Sequence, residues 1–238
     1  MNSTELCPGL LSLYIQRIFK LAYTLIIGNK NYSSWSMRAW LLLEFLGVPY
    51  QEESVALYTA TSRRDVLQSG GETGLVPVLK DDGLIIWETS AIVEYLYERF
   101  PQVWPGDRAL RARARSICGE VYSGMNHLRN AMPVNTRARY KMTDIPPAAT
   151  ADINRVVEIW ENALALSGGP WLFKEFTAAD IVFAPIATRF QTYGVTLVGE
   201  AAAYQERILS HPLVSRWLAL GKQEPGVIEI FEDPFSSL

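Results

Sequence analysis

A polar loop near the start of the chain places hydroxyl groups where a helix is predicted to begin. Residues 29–34 are polar, whereas 35–46 is rich in Leu, Met and Ala and is followed by a glycine and a proline, a pattern typical of a helix and its end. Ser33 and Ser34 therefore lie at the helix N-terminus. Unpaired N–H groups and the positive end of the helix dipole face the same point, so this loop is suited to hold an anion.

The chemistry that such a site favours is stabilisation of a thiolate. A thiol with a pKa of about 8.5 is only slightly ionised at neutral pH, and the thiolate is the nucleophile. A charge-assisted hydrogen bond from serine contributes roughly 1.5–3 kcal/mol, and the helix dipole roughly 0.3–1 kcal/mol. Because one pKa unit corresponds to about 1.36 kcal/mol, the pKa of a bound thiol falls by about one to three units. The alternative is that Ser33 or Ser34 simply caps the helix.

Two further motifs lie where predicted elements begin. Val76 and Pro77 begin a predicted hairpin over 76–87. Glu88 and Thr89 open the next predicted helix, where an acid and a hydroxyl are favoured as capping groups in any protein. From physics alone a trans peptide before the proline is the default, because only about 5–6% of X-Pro bonds are cis.

The elements that must position these motifs follow the order β-α-β-α-β-β-α. Apolar, β-branched runs predict two parallel strands and then a hairpin, with helices between them. The predicted strands cover 23–28, 50–57, 76–80 and 84–87, and the predicted helices cover 35–46, 61–68 and 88–100. This order predicts a thioredoxin-like α/β domain over residues 23–100.

The strand pattern ends at a Pro- and Gly-rich linker over 101–107, and the remaining chain, 108–238, is predicted to be all α-helical. The predicted helices cover 108–131, 150–166, 178–193, 200–209 and 212–222. Thr177 and Asp180 are spaced as a capping box at the start of one helix, a feature that stabilises the fold and takes no part in catalysis.

Composition limits the partners of the chain. Its 238 residues carry a net charge of −3, which leaves no basic surface for nucleic acid. Cys7 and Cys118 belong to no metal-binding pattern, so we expect no metal and a reducing, cytoplasmic location. Residues 1–22 lack the order of a secretory signal, and their apolar run is too short to span a membrane. They are predicted to be a non-essential extension, with a weak organelle-targeting peptide as the alternative.

Taken as a set, these motifs resemble the serine-type glutathione transferases. The resemblance rests on Ser33-Ser34-x-Ser36-x-Arg38, Val76-Pro77 and Glu88-Thr89-x-Ala91-Ile92, each at the start of its predicted element. The stretch 28–38 is similar to a bacterial branch related to the zeta class. The resemblance covers about residues 23–222. It implies the glutathione transferase fold, glutathione as co-substrate, a role in detoxification and a homodimer.

The resemblance also implies a role for each motif. One of the two loop serines, Ser33 first and Ser34 as the backup, would donate a hydrogen bond to the glutathione sulfur. Val76 would pair through its backbone with the cysteinyl part of glutathione, and Pro77 would be cis. Glu88 and Thr89 would hold the ammonium and the carboxylate of the γ-glutamyl end.

The partner of the glycyl carboxylate is left open by the sequence. The family often has Lys or Arg two residues before the proline, but this chain has Leu75 there. Arg63, Arg64 and Gln68 are the candidates for this contact.

The second substrate is expected to be a small apolar electrophile. Its predicted pocket residues are Trp35, Tyr122, Met125, Asn126 and Arg129. His127 lies on the predicted helix 108–131, beside the last four of these residues. His211 falls at a helix junction and is interpreted as structural.

Two alternative functions stay open. In the first, glutathione adds to a double bond and leaves again, giving cis–trans isomerisation of a small diacid, as in maleylacetoacetate isomerase. This variant needs cationic anchors, for which Arg38, Arg129 and Arg137 are available. In the second, the chain is a non-catalytic interaction module, since a fold does not imply a function.

Overall fold

The first part of the chain folds around a four-stranded mixed sheet. The computed structural model describes residues 23–232. Its strands are β1 (Tyr23–Gly28), β2 (Tyr50–Val55), β3 (Val78–Asp81) and β4 (Leu84–Trp87), in the order β2-β1-β3-β4. The central strand β1 is parallel to β2 and antiparallel to β3, and β3 and β4 form the predicted hairpin. Since Leu25, Ile26 and Ile27 of β1 have no exposed surface, the sheet has an apolar layer on both faces.

Three helices complete this domain. They are α1 (Ser34–Leu46), α2 (Ser62–Gln68) and α3 (Thr89–Tyr97). The predicted element order β-α-β-α-β-β-α and the thioredoxin-like fold class are therefore confirmed. Helix α1 ends at Gly47, which adopts φ 63°, a left-handed conformation that glycine reaches without strain.

The rest of the described chain is helical. Its helices are α4 (Arg108–Ser123), α5 (Asn126–Ala131), α6 (Pro147–Ser167), α7 (Ala178–Tyr193), α8 (Gly199–Ser210) and α9 (Pro212–Gln223). Helix α7 is buried almost throughout and packs against α1, α4 and α8, so one continuous core joins the two domains. None of the helices between residues 23 and 232 combines the length and the apolar character needed to cross a membrane. The extension 1–22 and residues 233–238 lie outside the described residues.

The helix predicted over 108–131 is two helices in the structure. Gly124 ends α4, and Met125 adopts φ 56° before α5 begins. A Cβ at Gly124 would lie 2.8 Å from the Glu120 carbonyl oxygen, so only glycine fits this turn. Because of this break, Tyr122 lies at the end of α4 and Met125 lies in the turn, whereas Asn126 begins α5.

The capping box predicted at Thr177 and Asp180 is confirmed at the start of α7. The Thr177 hydroxyl accepts from the Ala179 N–H at 3.3 Å, and the Asp180 carboxylate accepts from the Thr177 N–H at 3.0 Å. Asp180 also accepts from the Leu172 N–H and the Tyr204 hydroxyl. Complete burial raises the pKa of Asp180 to about 6, although these hydrogen bonds oppose the rise.

Candidate functional site

Ser33 caps α1 and is connected to the end of β1 by hydrogen bonds through Ser36. Its Oγ accepts from the Ser36 N–H at 3.2 Å and donates to the Ser36 Oγ at 2.8 Å. The Ser36 Oγ in turn accepts from the Gly28 N–H at 2.9 Å. Because a hydroxyl rotates, the Ser33–Ser36 bond can reverse its direction and free the Ser33 proton for an anion. Capping and anion binding are therefore compatible at Ser33, and Ser36 is a positioning residue that sequence reasoning did not assign.

Ser34 lies beside Ser33 but its hydroxyl has a different partner. The Ser34 Oγ accepts from Nη2 of Arg189 at 3.4 Å, across the boundary between α1 and α7. Its carbonyl oxygen accepts from Arg38 at the same distance. Both serines are 6% exposed, so the few accessible atoms of each face the cavity that they line.

The other two predicted motifs meet at a cavity of about 270 Å³. Its lining residues are Trp35, Tyr58, Thr73, Leu75, Val76, Pro77, Glu88 and Thr89. The Val76–Pro77 peptide bond is cis, as the resemblance implied. The hydrogen-bonded ladder of β3 begins only at Val78, so the backbone of Val76 lies outside it, next to the cavity.

Glu88 and Thr89 do not cap α3 in the way that their position suggested. Glu88 adopts φ 67° and ψ 127°, and its side chain makes no capping hydrogen bond. Thr89 is 2% exposed, and its Oγ1 is a buried hydroxyl with no hydrogen-bond partner among the described residues. A buried hydroxyl without a partner costs free energy. Its place at a helix N-terminus beside a cavity indicates an anionic ligand.

A larger cavity of about 770 Å³ adjoins the first. The two share Trp35, Tyr58, Leu75 and Val76. Among the residues predicted for the electrophile pocket, Trp35, Asn126 and Arg129 line the larger cavity. The structure does not bring Tyr122 and Met125 there: Tyr122 stacks on the Trp35 ring and lines a different cavity, and Met125 packs in the core.

Of the three candidates for binding the glycyl carboxylate, only one lines either cavity. Arg63 lines the larger cavity together with Gly74 and Leu75. Arg64 is largely exposed and lies next to Asp65 on its own helix, and Gln68 is exposed at the end of α2.

The arginines proposed as anchors also differ in their surroundings. Arg137 is already bound: it donates to the Glu224 and Gly226 carbonyl oxygens and pairs with Glu232. Arg38 is 1% exposed, and its guanidinium lies 4.7 Å from the Trp35 ring centroid and donates to the Val182 carbonyl oxygen.

Arg189 of α7 is a guanidinium at the larger cavity that sequence reasoning did not assign. It is 4% exposed and yet lines the larger cavity next to Ser34. Burial, followed by the charges of Arg38 and Arg129, lowers the pKa of Arg189 to about 9. It therefore stays protonated at neutral pH.

Neither histidine lies at the site. His211 stacks on Phe176 with ring centroids 3.8 Å apart, and its Nδ1 accepts from the Leu213 N–H at the start of α9, which confirms its structural role. His127 is exposed and lines no part of the two cavities. Within residues 23–232, no group of three or more His, Cys, Asp or Glu side chains is placed to hold a metal ion.

A segment after α9 closes one side of the larger cavity. The Glu224 carboxylate accepts from the Lys30 and Asn31 N–H groups, both at 3.0 Å. Further along, Ile230 and Phe231 line the cavity, and the Phe231 ring packs edge-on against Tyr58 with centroids 4.9 Å apart. No spacing in the sequence indicates this wall, because it forms only when the end of the chain returns to the loop before α1.

Comparison with known proteins identifies the family. Residues 32–99 match the glutathione S-transferase N-terminal domain, and residues 108–220 match the glutathione S-transferase C-terminal domain. The chain belongs to the glutathione transferase family. The chain is 27% identical over 170 residues to a maleylacetoacetate isomerase of Rattus norvegicus, and the matched residues cover 69% of this chain and 77% of that protein.

Two further relatives are similar over most of the chain. The probable maleylacetoacetate isomerase 2 of Drosophila melanogaster is 28% identical over 209 residues, 82% of this chain and 83% of that protein. The crystal structure of a glutathione transferase homolog from Burkholderia gl BGR1 with bound glutathione superposes with a TM-score of 0.65 at 24% identity. It covers 85% of this chain and 100% of that one. This likeness shows that the two proteins share a fold.

Proposed function

We propose that this glutathione transferase activates the thiol of glutathione at Ser33 and transfers the thiolate to a small electrophile in the larger cavity. The observation that carries the proposal is the Ser33 hydroxyl, held at the N-terminus of α1 and facing that cavity. Conjugation of this kind serves detoxification when the electrophile is a foreign compound.

The smaller cavity supports a position for the rest of glutathione. The Thr89 hydroxyl and the N-terminus of α3 take the γ-glutamyl carboxylate, and the exposed Glu88 takes the ammonium. The backbone of Val76 pairs with the cysteinyl residue, as an added strand would. Arg63, the one candidate that lines the larger cavity, takes the glycyl carboxylate.

Ser33 is proposed as the sulfur donor rather than Ser34. The Ser34 oxygen accepts from the Arg189 guanidinium, whereas the Ser33 hydroxyl can redirect its proton through Ser36. Together with the helix dipole, such a bond lowers the pKa of the bound thiol by about one to three units.

The test is a titration of bound glutathione followed by the ultraviolet absorbance of the thiolate. The wild type and Ser34→Ala are expected to show the lowered thiol pKa, and Ser33→Ala to restore it to about 8.5. Ser116→Ala, which removes an exposed hydroxyl on α4, is the matched control. A low thiol pKa retained in Ser33→Ala would reject Ser33 as the donor. Failure of the wild type to bind millimolar glutathione would favour the interaction module.

Isomerisation is a second candidate, favoured by the arginines around the larger cavity and by relatives named maleylacetoacetate isomerase. In this reaction the thiolate adds to the double bond, the new single bond rotates, and elimination of the thiolate restores the alkene. Proton NMR of maleylacetoacetate with glutathione separates the two reactions. Isomerisation changes the alkene geometry without consuming glutathione, whereas conjugation consumes one glutathione for each product.

We also propose a homodimer in a reducing, cytoplasmic environment. Leu84 and Ile85 are apolar and exposed on the edge strand β4, a feature that favours a partner surface. The reducing environment is supported by Cys118, which is a free, buried thiol. Sedimentation equilibrium is expected to give twice the mass of the chain, and a monomer mass would contradict the proposal.

A further inference from the structure

The segment that follows α9 is held at both ends by the loop before α1. We call residues 224–232 the strap. Its first residue, Glu224, accepts from two backbone N–H groups of that loop, and its last, Glu232, accepts from the Tyr32 hydroxyl. Because the two anchor points are neighbours in one loop, the residues between them form an arch with closely spaced ends, as in an Ω-loop.

Three side chains hold the far end of the strap, and we call Tyr32, Arg137 and Glu232 the latch. Nη2 of Arg137 donates to the Tyr32 hydroxyl at 2.7 Å and to the Glu232 carboxylate at 3.2 Å, and Tyr32 donates to the same carboxylate. Burial, followed by the hydrogen bond to Glu232, raises the pKa of Tyr32, so its hydroxyl keeps the proton that it donates. The Tyr140 hydroxyl adds a hydrogen bond to the Glu232 carbonyl oxygen.

Little apolar surface supports the latch. Of the strap residues, all of which are described, only Ile228 is buried, whereas Val227 and Ile230 are 57% and 63% exposed. The Phe231 ring packs against Tyr58, which is itself 65% exposed. Tyr58 also adopts φ 58°, a left-handed conformation that is unfavourable for a residue with a Cβ. A segment with few buried apolar contacts opens locally more readily than the core.

The strap lies over the approach to Ser33. Ile230 and Phe231 of the strap line the larger cavity together with Ser33 and Val134. Ser33 is 6% exposed and Val134 is 2% exposed, so the inner part of the cavity is almost closed to solvent. The strap is in direct contact with this part, because Nδ2 of Asn135 donates to the Phe231 carbonyl oxygen at 3.2 Å.

The latch can part without disturbing the near end of the strap. Arg137 donates to the carbonyl oxygens of Glu224 and Gly226 as well as to Glu232. When Glu232 leaves, Arg137 keeps these two neutral acceptors and the Glu232 carboxylate is solvated by water. The pair is partly exposed, with 26% of the Arg137 side chain and 35% of the Glu232 side chain accessible, so its attraction is modest and is screened by salt.

We infer that the strap is a gate on the larger cavity, open when the latch parts and closed when it re-forms. In the open state residues 227–232 move away from the cavity, while Glu224 keeps its end attached to the loop. The electrophile enters and the product leaves in this state, and closure then excludes water from the thiolate. Tyr32 and Glu232 are positioning residues for the strap. The place of the gate in the reaction rests on the proposed function, whereas its opening does not.

The first experiment measures opening by the reaction of a thiol placed beneath the strap. Val134→Cys, in a protein that also carries Cys7→Ser, is labelled with the uncharged reagent 4,4′-dithiodipyridine, and the buried Cys118 is common to all variants. Adding Glu232→Gln removes the charge of the latch and should speed labelling about fivefold. Glu229→Gln, which removes an exposed carboxylate of the same strap, is the matched control and should leave the rate unchanged.

Salt gives an independent measure of the latch. About 1 M NaCl screens the ion pair, so it should speed labelling of Val134→Cys and have little effect once Glu232→Gln is added. Equal labelling rates with and without Glu232→Gln would overturn the latch. Labelling of the folded Val134→Cys protein as fast as in urea would show that the strap does not cover the cavity, and would overturn the gate.

A second experiment needs no introduced thiol. Stopped-flow tryptophan fluorescence, to which Trp35 contributes from the wall of both cavities, follows the binding of S-hexylglutathione. Glu232→Gln should raise the association and dissociation rate constants by the same factor, about fivefold, and leave the Kd within about twofold of the wild type. A side chain that only contacts the ligand or supports the fold changes the Kd instead. A changed Kd with an unchanged association rate would therefore rule out the gate.

The thiol titration separates this inference from the proposed function. Glu232→Gln should keep the thiol pKa of bound glutathione, because Ser33 and its hydrogen bonds to Ser36 are untouched. If the wild type does not bind glutathione, the proposed function is rejected and the labelling rates still decide the gate. If the labelling rates do not respond to Glu232→Gln, the gate is rejected and the titration still decides the role of Ser33.

Discussion

The hydroxyls at the starts of α1 and α3 differ in what satisfies them. The Ser33 hydroxyl makes two hydrogen bonds to Ser36 in the first turn of α1, so it is held in place before any ligand arrives. Thr89 has none in the described structure, and its Oγ1 is fully buried. In the proposed function, Ser33 is thus preorganised to bind the sulfur, whereas Thr89 gains its hydrogen bond only when glutathione binds.

Thr89→Val tests this difference. Valine keeps the shape and removes the hydroxyl that has no partner, so the free energy of unfolding should be unchanged or higher by up to about 1 kcal/mol. The Kd of glutathione should rise by about tenfold or more, because a charge-assisted hydrogen bond is lost. Urea unfolding and calorimetry measure the two effects.

Thr188→Val is the control, since its hydroxyl donates to the Ala184 carbonyl oxygen at 2.9 Å inside α7. It should alter stability and leave the glutathione Kd unchanged. A Thr89→Val protein that binds glutathione like the wild type would contradict a ligand role for the hydroxyl.

Residues within short motifs were predictable, and residues joined across the fold were not. Ser33, Val76 and Thr89 each begin or precede a predicted element, so local pattern places them. Arg189 lies in α7, where most of the neighbouring residues are apolar. Its contact with Ser34 joins positions 155 residues apart. No spacing rule connects two such positions. Arg137 was named for its charge alone, and its partners come from the segment after α9.

At the scale of elements, α7 depends on a buried acid at its first turn. Burial raises the pKa of Asp180 from 3.8 to about 6, so the folded protein binds this proton more tightly than the unfolded chain. The stabilisation that the proton gives is full below pH 3.8 and is lost as the pH rises through 6. The loss is about 3 kcal/mol, since one pKa unit is about 1.36 kcal/mol.

Asp180→Asn cannot titrate and should lack this dependence. Between pH 4 and pH 7 we expect the free energy of unfolding of the wild type to fall relative to Asp180→Asn by up to about 3 kcal/mol. Urea unfolding at several pH values checks it. Asp82→Asn, which removes a carboxylate at the exposed β3–β4 turn, is the control. A constant difference for Asp180→Asn would refute the raised pKa.

Element order was predictable because hydrophobic period and turn residues are local signals. The helix α7 was predicted with its observed bounds, since a capping box precedes it and Gly194 follows it. The break at Gly124 was not predicted. One glycine inside a helical pattern costs only about 1 kcal/mol, so the sequence does not show whether the helix continues. In the structure the helix ends at Gly124, where a Cβ would lie 2.8 Å from the Glu120 carbonyl oxygen.

At the scale of the whole molecule, the loop before α1 is held by the second domain. Asn31 has no exposed surface, and its Oδ1 accepts from the Thr136 N–H, the Thr136 hydroxyl and the Arg137 N–H. Its Nδ2 donates to the Asn135 Oδ1 at 3.1 Å. Because Asn31 lies two residues before Ser33, the second domain fixes the site as well as covering it.

Asn31→Ala should therefore reduce stability and activity together. Loss of four hydrogen bonds, three of them buried, is expected to lower the free energy of unfolding by about 2–4 kcal/mol. The loop before α1 loses its anchor, so the pKa of bound glutathione should rise towards that of the free thiol. Asn130→Ala removes an exposed amide that lines the cavity and serves as the control for stability. If Asn31→Ala unfolds more readily but bound glutathione keeps its low thiol pKa, Ser33 is positioned by Ser36 and Gly28 alone. In that case the second domain contributes the substrate pocket and not the thiolate site.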